Sequence, residues 1–338
     1  MSGTDTTTAR QEIVAELMTG EKFLLTTHES PDGDALGSLL AMHEVLRLMG
    51  KDSVMFMSAT DFPLPYEYRH MPLEEVRQEL PEDAEQRTVV FLDCGNPDRM
   101  PVTFLQRDGA HILNIDHHHD NTRFGTTDLV VSDASSTAEI VYDLTKDLEL
   151  DVTLKIAEAL YIALVTDTGK FQYENTTAAS HRMAAELIEL GVDVHEIFRQ
   201  IYEKAPFEKV QLLGRVLNRT VRYDDGRLTV SHILREDYEA TNAEEGYSEG
   251  IVDHIRAVNG TVMAALIREQ LRPEREGIRK VSLRASTPAI DVSVIARKES
   301  GGGHRQAAGF STRKSDDELI PFLRAELAAQ LDGTTPSP

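Results

Sequence analysis

The side chains best suited to chemistry in this sequence are carboxylates and imidazoles that directly follow short apolar segments. They form two clusters and two single positions: His28, Asp32 and Asp34; Asp93; Asp116, His117 and His118; and Asp167. Crowded carboxylates repel one another, and a bound divalent cation offsets that repulsion. If the first three apolar segments are parallel strands, their carboxyl ends open on one crevice, where open α/β sheets bind ligands. The spacing therefore predicts a site for two metal ions.

The residue types indicate which metal ions fit the site and which role each residue could have. Carboxylate oxygens suit Mg²⁺ and Mn²⁺, and imidazole shifts the preference toward Mn²⁺ or another transition metal. A central carboxylate such as Asp93 can bridge two ions about 3.5–4 Å apart. Adjacent histidines do not easily ligate the same ion. We therefore expect His117 to ligate, His118 to meet a substrate oxygen and Asp116 to orient the group behind them.

Several of these positions also have a purely structural interpretation. Asp34 stands at the start of a predicted helix and could simply cap it. Asp167 is followed closely by Gly169, so it could mark only a turn at the end of a helix. Cys94 has no Cys-His pair around it and is best explained as a small residue beside the metal loop. The metal hypothesis rests on the combination of four motifs.

A glycine run far along the chain predicts a ligand loop. The Gly301–Gly303 run lacks side chains, so its backbone N–H groups could approach a phosphate or a nucleotide. His304 and Arg305 follow directly. Between Arg268 and Lys314 there are eleven Lys or Arg against five Asp or Glu, although the whole chain has a formal charge of −22. We expect this segment to meet phosphate; a flexible loop on a mixed-charge surface is the alternative.

Composition limits the class of protein. A chain of 338 residues fits two domains, and a single cysteine excludes an internal disulfide framework. No apolar run approaches the roughly 20 residues that cross a bilayer, and the first ten residues do not resemble a secretion signal. We therefore expect a cytoplasmic protein without a membrane partner. The charge of −22 argues against tight binding of long nucleic acid but not against a short phosphorylated substrate.

Alternating helix and strand signals from Gln11 to about Gly191 predict an α/β domain with a mostly parallel sheet and helices on both faces. The predicted strands are Lys22–Thr27, Ser53–Met57, Thr88–Leu92 and His111–Ile115. The predicted helices are Asp34–Met49, Ser136–Leu144 and Thr153–Val165. A smaller α+β domain follows, with a hairpin over Val221–Leu234 and further elements at Thr261–Glu269, Lys280–Ala285 and Asp291–Ala296. The predicted boundaries are 11–191, a helical connector at 192–215, and 216–330.

Together, these motifs resemble the DHH phosphoesterase family with its associated C-terminal substrate domain. The resemblance is strongest to the branch of nanoRNases and pAp phosphatases, some of which also degrade cyclic di-AMP. The matching stretches are His28–Ala35, Leu92–Gly95, Asp116–His118 with Asn121, Ala134–Glu139, Thr166–Phe171 and Gly301–His304. They extend from the start of the predicted sheet to the glycine run.

The resemblance implies two Mn²⁺ ions, with Mg²⁺ or another divalent ion as the alternative. His28, Asp32 and Asp93 would hold one ion, and the other would be held by Asp34, Asp93, His117 and Asp167. His118 would contact the phosphoryl group, backed by Asp116. Substrate would be bound from the second domain by Arg284, Gly302, Gly303, His304 and Arg305; Arg284 could instead be an ordinary strand arginine. The resemblance also implies a homodimer acting on short RNA, pAp, or cyclic di-AMP and its linear product pApA.

Three other functions remain open from the sequence. A RecJ-like single-strand exonuclease shares the metal motifs, but the acidic charge and short chain argue against it. A family II pyrophosphatase shares the N-terminal motifs without this glycine-histidine segment. A nucleotide-binding regulator with a silent site would not need intact acidic positions.

Overall fold

The computed structural model describes residues 6–101, 105 and 109–333. The chain divides into two compact units, Met1–Glu203 and Lys204–Pro338. We refer to them as the N-terminal and the C-terminal unit. The division falls within the stretch 192–215 that the sequence suggested as a connector. Among the described residues, none of the helices is both long enough and apolar enough to cross a membrane.

The N-terminal unit contains a five-stranded sheet in which every strand pair is parallel, as predicted. The strands are β1 (Lys22–Thr27), β2 (Asp52–Met55), β3 (Thr88–Leu92), β4 (Ile112–Asp116) and β5 (Thr127–Val130), and their order in the sheet is β2-β1-β3-β4-β5. The edge strand β5 was not predicted, because its four residues Thr-Asp-Leu-Val carry no clear strand pattern.

The α-helices among the described residues of the same unit are α1 (Thr6–Thr19), α2 (Gly33–Leu48), α3 (Thr137–Asp147), α4 (Leu154–Asp167), α5 (Ala178–Glu189) and α6 (Val194–Tyr202). The three predicted helices correspond to α2, α3 and α4. Each begins at a side-chain cap that accepts from the first turn: Asp32 for α2, Ser136 for α3 and Thr153 for α4.

The two faces of the parallel sheet are covered differently. Alternate residues such as Leu25 and Val90 pack into the large core that α1 to α6 share. Residues of the opposite face, such as Leu24 and Phe91, pack with Ala84 and other residues of irregular segments that contain single-turn 3₁₀ helices. Both faces of the sheet are therefore covered by helices, with α-helices on one face and short 3₁₀ helices on the other.

Helices α2 and α4 pack unusually closely because α2 carries two glycines on its contact face. A Cβ atom on Gly33 would overlap the side chain of Thr166. A Cβ atom on Gly37 would overlap the carbonyl oxygen of Ala159 and lie 2.7 Å from the Cβ of Ala163. Since protein interiors are close-packed, these two positions fix the separation of the helices. Gly33 immediately precedes Asp34, and Thr166 immediately precedes Asp167.

The C-terminal unit is an α+β structure around a six-stranded mixed sheet, as predicted. Its strands are β6 (Val221–Tyr223), β7 (Leu228–Ile233), β8 (Met263–Glu269), β9 (Arg279–Ala285), β10 (Gly302–His304) and β11 (Ala307–Thr312), in the order β10-β11-β9-β8-β7-β6. Only the β7–β8 pair is parallel among the described strand pairs of this sheet. The helices are α7 (Phe207–Asn218), α8 (Arg235–Thr241), α9 (Ile251–Arg256), α10 (Val292–Arg297) and α11 (Asp316–Leu331).

The glycine run differs from its predicted structure. Gly302–His304 forms strand β10, which pairs antiparallel with β11, so the expected loop is wrong at these positions. The glycines have a packing reason: a Cβ atom on Gly301 would overlap the carbonyl oxygen of Gly309, and one on Gly303 would lie 2.5 Å from the carbonyl oxygen of Ala307. Gly303 also has a φ of +133°, which side chains rarely tolerate.

Candidate metal centre

The carboxyl ends of three neighbouring strands carry the predicted acidic and imidazole residues. His28 directly follows β1, Asp93 directly follows β3, and His117 directly follows β4. Helix α2 contributes Asp34 from its first turn, and α4 contributes Asp167 as its last residue. The parallel sheet thus brings together side chains that lie up to 139 positions apart in the sequence. The eight predicted site residues of the N-terminal unit lie at this end of the sheet.

Two groups of possible ligand atoms occupy this end of the sheet. In what we call the first donor group, His28, Asp32 and Asp93 each offer an atom within 4.8 Å of the other two. In the second donor group, Asp34, His117 and Asp167 do the same. The Nε2 atom of His117 lies 3.5 Å from Oδ2 of Asp167 and 3.9 Å from Oδ2 of Asp34.

Asp93 lies between the two donor groups. Its Oδ2 is 3.6 Å from Nε2 of His28, and its Oδ1 is 3.7 Å from Nε2 of His117. The residue has a φ of +58°, a left-handed conformation that is uncommon for a side chain other than glycine and that occurs often at functional sites. Oδ1 also lies 3.7 Å from Nδ1 of His118. The two carboxylate oxygens therefore face different imidazoles, an arrangement that is compatible with a bridging ligand.

His118 is held by Asp116 beside the two donor groups. Its Nδ1 donates a hydrogen bond of 2.7 Å to Oδ1 of Asp116. The other carboxylate oxygen of Asp116 accepts at 2.5 Å from Nδ2 of Asn121, which also donates to the carbonyl of Cys94. Asp116 is fully buried, and this hydrogen bond fixes the orientation of the His118 ring. Asp116, His118 and Asp93 also form a third group of close donor atoms.

Crowding of carboxylates changes their proton affinities. Burial, together with the negative charges of Asp93 and Asp167, raises the pKa of Asp34 well above its usual value. Burial likewise raises the pKa of Asp167 to about 7, although the neighbouring His117 opposes the shift. Both carboxylates are therefore costly to ionise in the ion-free protein. A divalent cation would offset that cost directly, so the donor set fits a metal on electrostatic grounds.

For His117, His118 and Asp93 the pKa shift favours the charged form, whereas for Asp34 and Asp167 it favours the neutral form. Burial opposes the charge of His117, but the carboxylates of Asp167, Asp34 and Asp93 raise its pKa to about 10. Burial also opposes the charge of His118, and Asp116 raises the pKa of that histidine. The pKa of Asp93 is lowered despite its burial, because His28 donates to it and the charges of three histidines favour its ionised form. In the ion-free protein these shifts thus favour the imidazolium forms of His117 and His118.

Other polar residues at this site were not assigned a role from the sequence. The backbone N–H groups of Thr137 and Ala138 donate to Asp34 at 2.7 and 3.0 Å, and the Thr137 hydroxyl donates to Asp93 at 3.0 Å. Nδ2 of Asn175 donates to Asp167 at 3.2 Å. The stretch Ala134–Glu139 was part of the family resemblance, and that was the available signal for Thr137 and Ala138. Asn175 had none.

Cys94 lies next to Asp93 in surroundings that disfavour a nucleophilic thiolate. It is fully buried, and its Sγ donates to the carbonyl of Asn96 at 3.2 Å. Burial raises the pKa of its thiol to about 12, so the thiolate is scarce at neutral pH. The thiol is consistent with a small packing residue beside the metal loop.

The predicted substrate residues lie together in the C-terminal unit. Ala307 of β11 pairs with Arg284 of β9 on one side and with His304 of β10 on the other. Paired residues of adjacent strands share a face of the sheet, so Arg284 and His304 flank a small residue on one face. Nε of Arg284 also lies 3.6 Å from Asp253, and Arg305 follows β10 with its Nε donating to the carbonyl of Pro288.

Comparison with known proteins agrees with this geometry. The DHH family, N-terminal domain, matches residues 22–164, and the DHHA1 domain matches residues 226–332. A bifunctional oligoribonuclease and PAP phosphatase NrnA of Thermus thermophilus is 35% identical over 329 residues, which cover 94% of each chain.

Two solved structures share the fold. An exopolyphosphatase-related protein of Bacteroides fragilis aligns with a TM-score of 0.84 at 22% identity, over 98% of both chains. RecJ of Thermus thermophilus in complex with Mn²⁺ aligns with a TM-score of 0.55 at 14% identity, over 98% of this chain and 55% of that chain. At these identities the structural matches concern the fold. The 35% identical relative and the two matched domains establish more, namely that this chain belongs to the DHH family.

Proposed function

We propose that this protein is a metal-dependent hydrolase of phosphoester bonds, with short oligoribonucleotides and pAp as substrates. The observation that carries the proposal is the pair of donor groups on either side of Asp93. Their spacing and residue types are those of two-metal phosphoester hydrolysis. The substrate class is supported by the Thermus thermophilus relative, which is named an oligoribonuclease and PAP phosphatase.

The residues would hold two divalent ions, which we propose to be Mn²⁺. His28, Asp32 and Asp93 would hold one ion, and the other would be held by Asp34, Asp93, His117 and Asp167. Such ions supply Lewis acidity and acidify bound water, so that no side-chain nucleophile is needed. The mixed carboxylate and imidazole set favours Mn²⁺ over Mg²⁺. The structural neighbour RecJ was solved both with Mn²⁺ and with Mg²⁺.

His118 would contact the phosphoryl group of the substrate. Because its Nδ1 donates to Asp116, the contact would use Nε2. The raised pKa keeps this imidazole protonated to higher pH than that of an unperturbed histidine, so it can donate a hydrogen bond to an anionic oxygen. Asp116 fixes the ring orientation and stabilises the imidazolium. Asn121 in turn fixes Asp116.

In the C-terminal unit, we propose that Arg284, Gly302, Gly303, His304 and Arg305 bind the substrate phosphate or base. The alignment of Arg284 and His304 across Ala307 supports this part of the proposal. A Cβ atom on Gly302 would meet nothing within 4 Å, so its backbone is open to a ligand. The side chain of Arg284 is partly exposed, and its Nε lies near the carboxylate of Asp253. The arginine could therefore exchange Asp253 for another anionic partner.

The same proposal includes cyclic di-AMP and its linear product pApA as further substrates, and a cytoplasmic homodimer as the active form. The resemblance of the motifs supports these points. Light scattering of the purified protein would test the dimer, and the hydrolysis experiment below includes cyclic di-AMP and pApA.

The experiment that tests the proposal is a hydrolysis panel with the full chain. The purified protein is incubated with Mn²⁺ or with EDTA, together with pAp, cyclic di-AMP, pApA and 5′-labelled RNAs of 2 to 20 nucleotides. We expect Mn²⁺-dependent cleavage that is fastest for the shortest RNAs. Asp34→Asn serves as the inactive control, because it removes one ligand with little change in shape. A parent protein that hydrolyses none of these substrates in Mn²⁺ would refute the proposal.

The dependence on RNA length distinguishes this function from a RecJ-like exonuclease. A long strand gains affinity from an extended positive track or from aromatic platforms. This chain has no tryptophan and a formal charge of −22, and basic residues outnumber acidic ones in the segment Arg268–Lys314. We therefore expect kcat/KM to fall as RNA length grows. Processive degradation of a 20-mer at the rate of a dinucleotide would favour the exonuclease function instead.

A further inference from the structure

Four of the predicted metal ligands contact one short stretch of chain that is not itself in the ligand set. This stretch, residues 134–138, enters helix α3 and is here called the 134–138 segment. The segment contacts three of these ligands directly and the fourth through the side chain of Asn175. The four ligands lie in α2, after β3, after β4 and at the end of α4. They are Asp34, Asp93, His117 and Asp167.

The first contact holds the carboxylate of Asp34 at the N-terminus of α3. Its Oδ2 accepts from the N–H of Thr137 at 2.7 Å, and its Oδ1 accepts from the N–H of Ala138 at 3.0 Å. Its Oδ1 also accepts from the hydroxyl of Ser38 at 3.1 Å. Backbone N–H groups in the first turn of a helix favour a negative charge. Both oxygens of Asp34 thus have fixed directions.

The second contact holds Asp93. The hydroxyl of Thr137 donates to its Oδ1 at 3.0 Å, and this is the carboxylate oxygen that faces His117. Thr137 is fully buried, so its hydroxyl does not exchange this contact with bulk solvent. One residue therefore bonds Asp34 with its backbone and Asp93 with its side chain.

The remaining contacts involve His117 and Asp167. Nδ1 of His117 donates to the carbonyl of Ala134 at 3.2 Å, which fixes the plane of the ring. Nδ2 of Asn175 donates to the carbonyl of Ser135 at 2.8 Å and to Oδ2 of Asp167 at 3.2 Å. Asn175 thereby ties the end of α4 to the 134–138 segment.

The segment is itself fixed by local bonds. Ser136 caps α3 by accepting from the N–H of Glu139. The carboxylate of Glu139 accepts from both the N–H and the hydroxyl of Ser135, at 3.0 and 2.5 Å. Such reciprocal bonds at a helix start restrain the turn before any ligand arrives.

We propose that the 134–138 segment preorganises the metal centre and that Thr137 is its principal positioning residue, whose hydroxyl sets the orientation of the shared ligand Asp93. The consequence for metal affinity rests on the proposed function, whereas the orientation of Asp93 does not. Residues that orient metal ligands typically contribute about 10- to 100-fold in metal affinity or activity. Thr137 would act through the carboxylates without touching the ions.

The test compares Thr137→Val, Thr137→Ser and a matched control, Thr145→Val, in the full chain. Valine keeps the shape of threonine but puts a methyl group against the carboxylate of Asp93, and serine keeps the hydroxyl. Thr145 is also buried in α3, but its hydroxyl donates to the carbonyl of Tyr142. In calorimetric Mn²⁺ titration we expect the Kd of at least one site to rise about 10-fold or more in Thr137→Val, and to stay within about 3-fold in the other two.

A second arm separates this inference from the proposed function. In crystals of ion-free Thr137→Val, we expect the Asp93 carboxylate to be rotated from its parental orientation, and in Thr137→Ser to retain it. An unchanged Asp93 in Thr137→Val would overturn the inference, whatever the metal titration shows. A parent protein that binds no Mn²⁺ would instead refute the two-metal function, while the orientation of Asp93 would still decide the role of Thr137.

An independent variant covers the case in which Thr137→Val does not fold. Asn175→Ala removes the tie between Asp167 and the 134–138 segment at a half-buried position outside the helices. We expect this variant to weaken Mn²⁺ binding about 10-fold at one of two sites. Binding at both sites that matches the parent would overturn the role of the segment.

Discussion

Two sets of buried carboxylates in this molecule have opposite surroundings. In the C-terminal unit, Asp237 of α8 is fully buried and accepts from Arg215 at 2.7 Å and from Arg219 at 3.0 Å. Burial alone would raise its pKa, but the hydrogen bonds from Arg219, Leu234 and Arg215 lower it to about 2. In the N-terminal unit, Asp34 and Asp167 lie beside further carboxylates, and their pKa values are raised.

The difference separates a carboxylate that is paired with arginines of the chain from carboxylates that, on the proposed function, would be paired with metal ions. Asp237 has its countercharges within the chain, so ionisation stabilises the folded state. The ionisation of Asp34 and Asp167 costs stability unless a cation is supplied. Strongly shifted carboxylates that converge on one crevice are therefore candidates for function. Direct tests of this contrast can be ordered by the size of the effect.

The largest effect is expected from Asp93→Asn, which removes the negative charge between the two donor groups. We expect kcat/KM for a dinucleotide to fall at least about 10³-fold, because both metal positions would be affected. The matched control is Asp98→Asn, an exposed carboxylate on the same loop. Circular dichroism would check the fold. Activity within about tenfold of the parent would contradict the two-metal function.

A smaller loss is expected from substitutions in the C-terminal unit. Arg284→Ala or His304→Ala should reduce kcat/KM about 10²-fold, because these residues would hold substrate phosphate. Mn²⁺ titration should match the parent, since neither residue belongs to the donor groups. Arg313→Ala, another arginine of the basic segment, is the control. Loss of Mn²⁺ binding in Arg284→Ala would break the division of roles between the two units.

Asp237→Asn tests whether Asp237 stabilises the fold through its arginine partners. At pH 7 we expect the free energy of unfolding to fall by about 2 kcal/mol, because two arginines lose their buried partner; both are partly exposed, so solvent screens part of the loss. The pKa of Asp237 is lowered in the folded state. The difference in free energy of unfolding between parent and variant should therefore be complete above pH 4 and should vanish as pH falls toward 2. Denaturation curves that coincide at pH 7 would contradict a structural role.

The smallest effect, with the opposite sign, is expected from Asp167→Asn in EDTA. The raised pKa of Asp167 means that ionisation destabilises the ion-free fold, and the penalty grows between about pH 4 and pH 7. The variant should therefore be more stable than the parent at pH 7 and equal to it below pH 4. Added Mn²⁺ should stabilise the parent far more than the variant. A variant that is less stable than the parent in EDTA would contradict this electrostatic account.

Much of the N-terminal unit was predictable because its signals are local. An apolar run followed by Asp or His identifies both a strand and a site position, and β1, β3 and β4 match their predictions. The edge strand β5 was missed because four residues of mixed polarity carry little periodicity. The glycine run was expected to be a loop, whereas close approach of β11 requires the glycines inside a strand.

The support for the site was much harder to predict. Thr137 and Asp34 are 103 positions apart, and their contact depends on how α2 and α3 pack. Asn175 stands in a loop with no pattern that points to Asp167. Sequence motifs thus identified the candidate ligands, while the residues that orient them became visible only through tertiary contacts.

The close packing of α2 against α4 also bears on which ions the protein can accept. Gly33 contacts Thr166 with no room for a methyl group, so the backbone segments that carry Asp34 and Asp167 lie in direct contact. Ca²⁺ forms bonds to oxygen of about 2.3–2.6 Å, whereas Mg²⁺ requires about 2.0–2.1 Å. A centre of fixed width would discriminate against the larger ion. Discrimination by ionic radius would then arise from two side chains that α2 lacks, at Gly33 and Gly37, as much as from the ligands themselves.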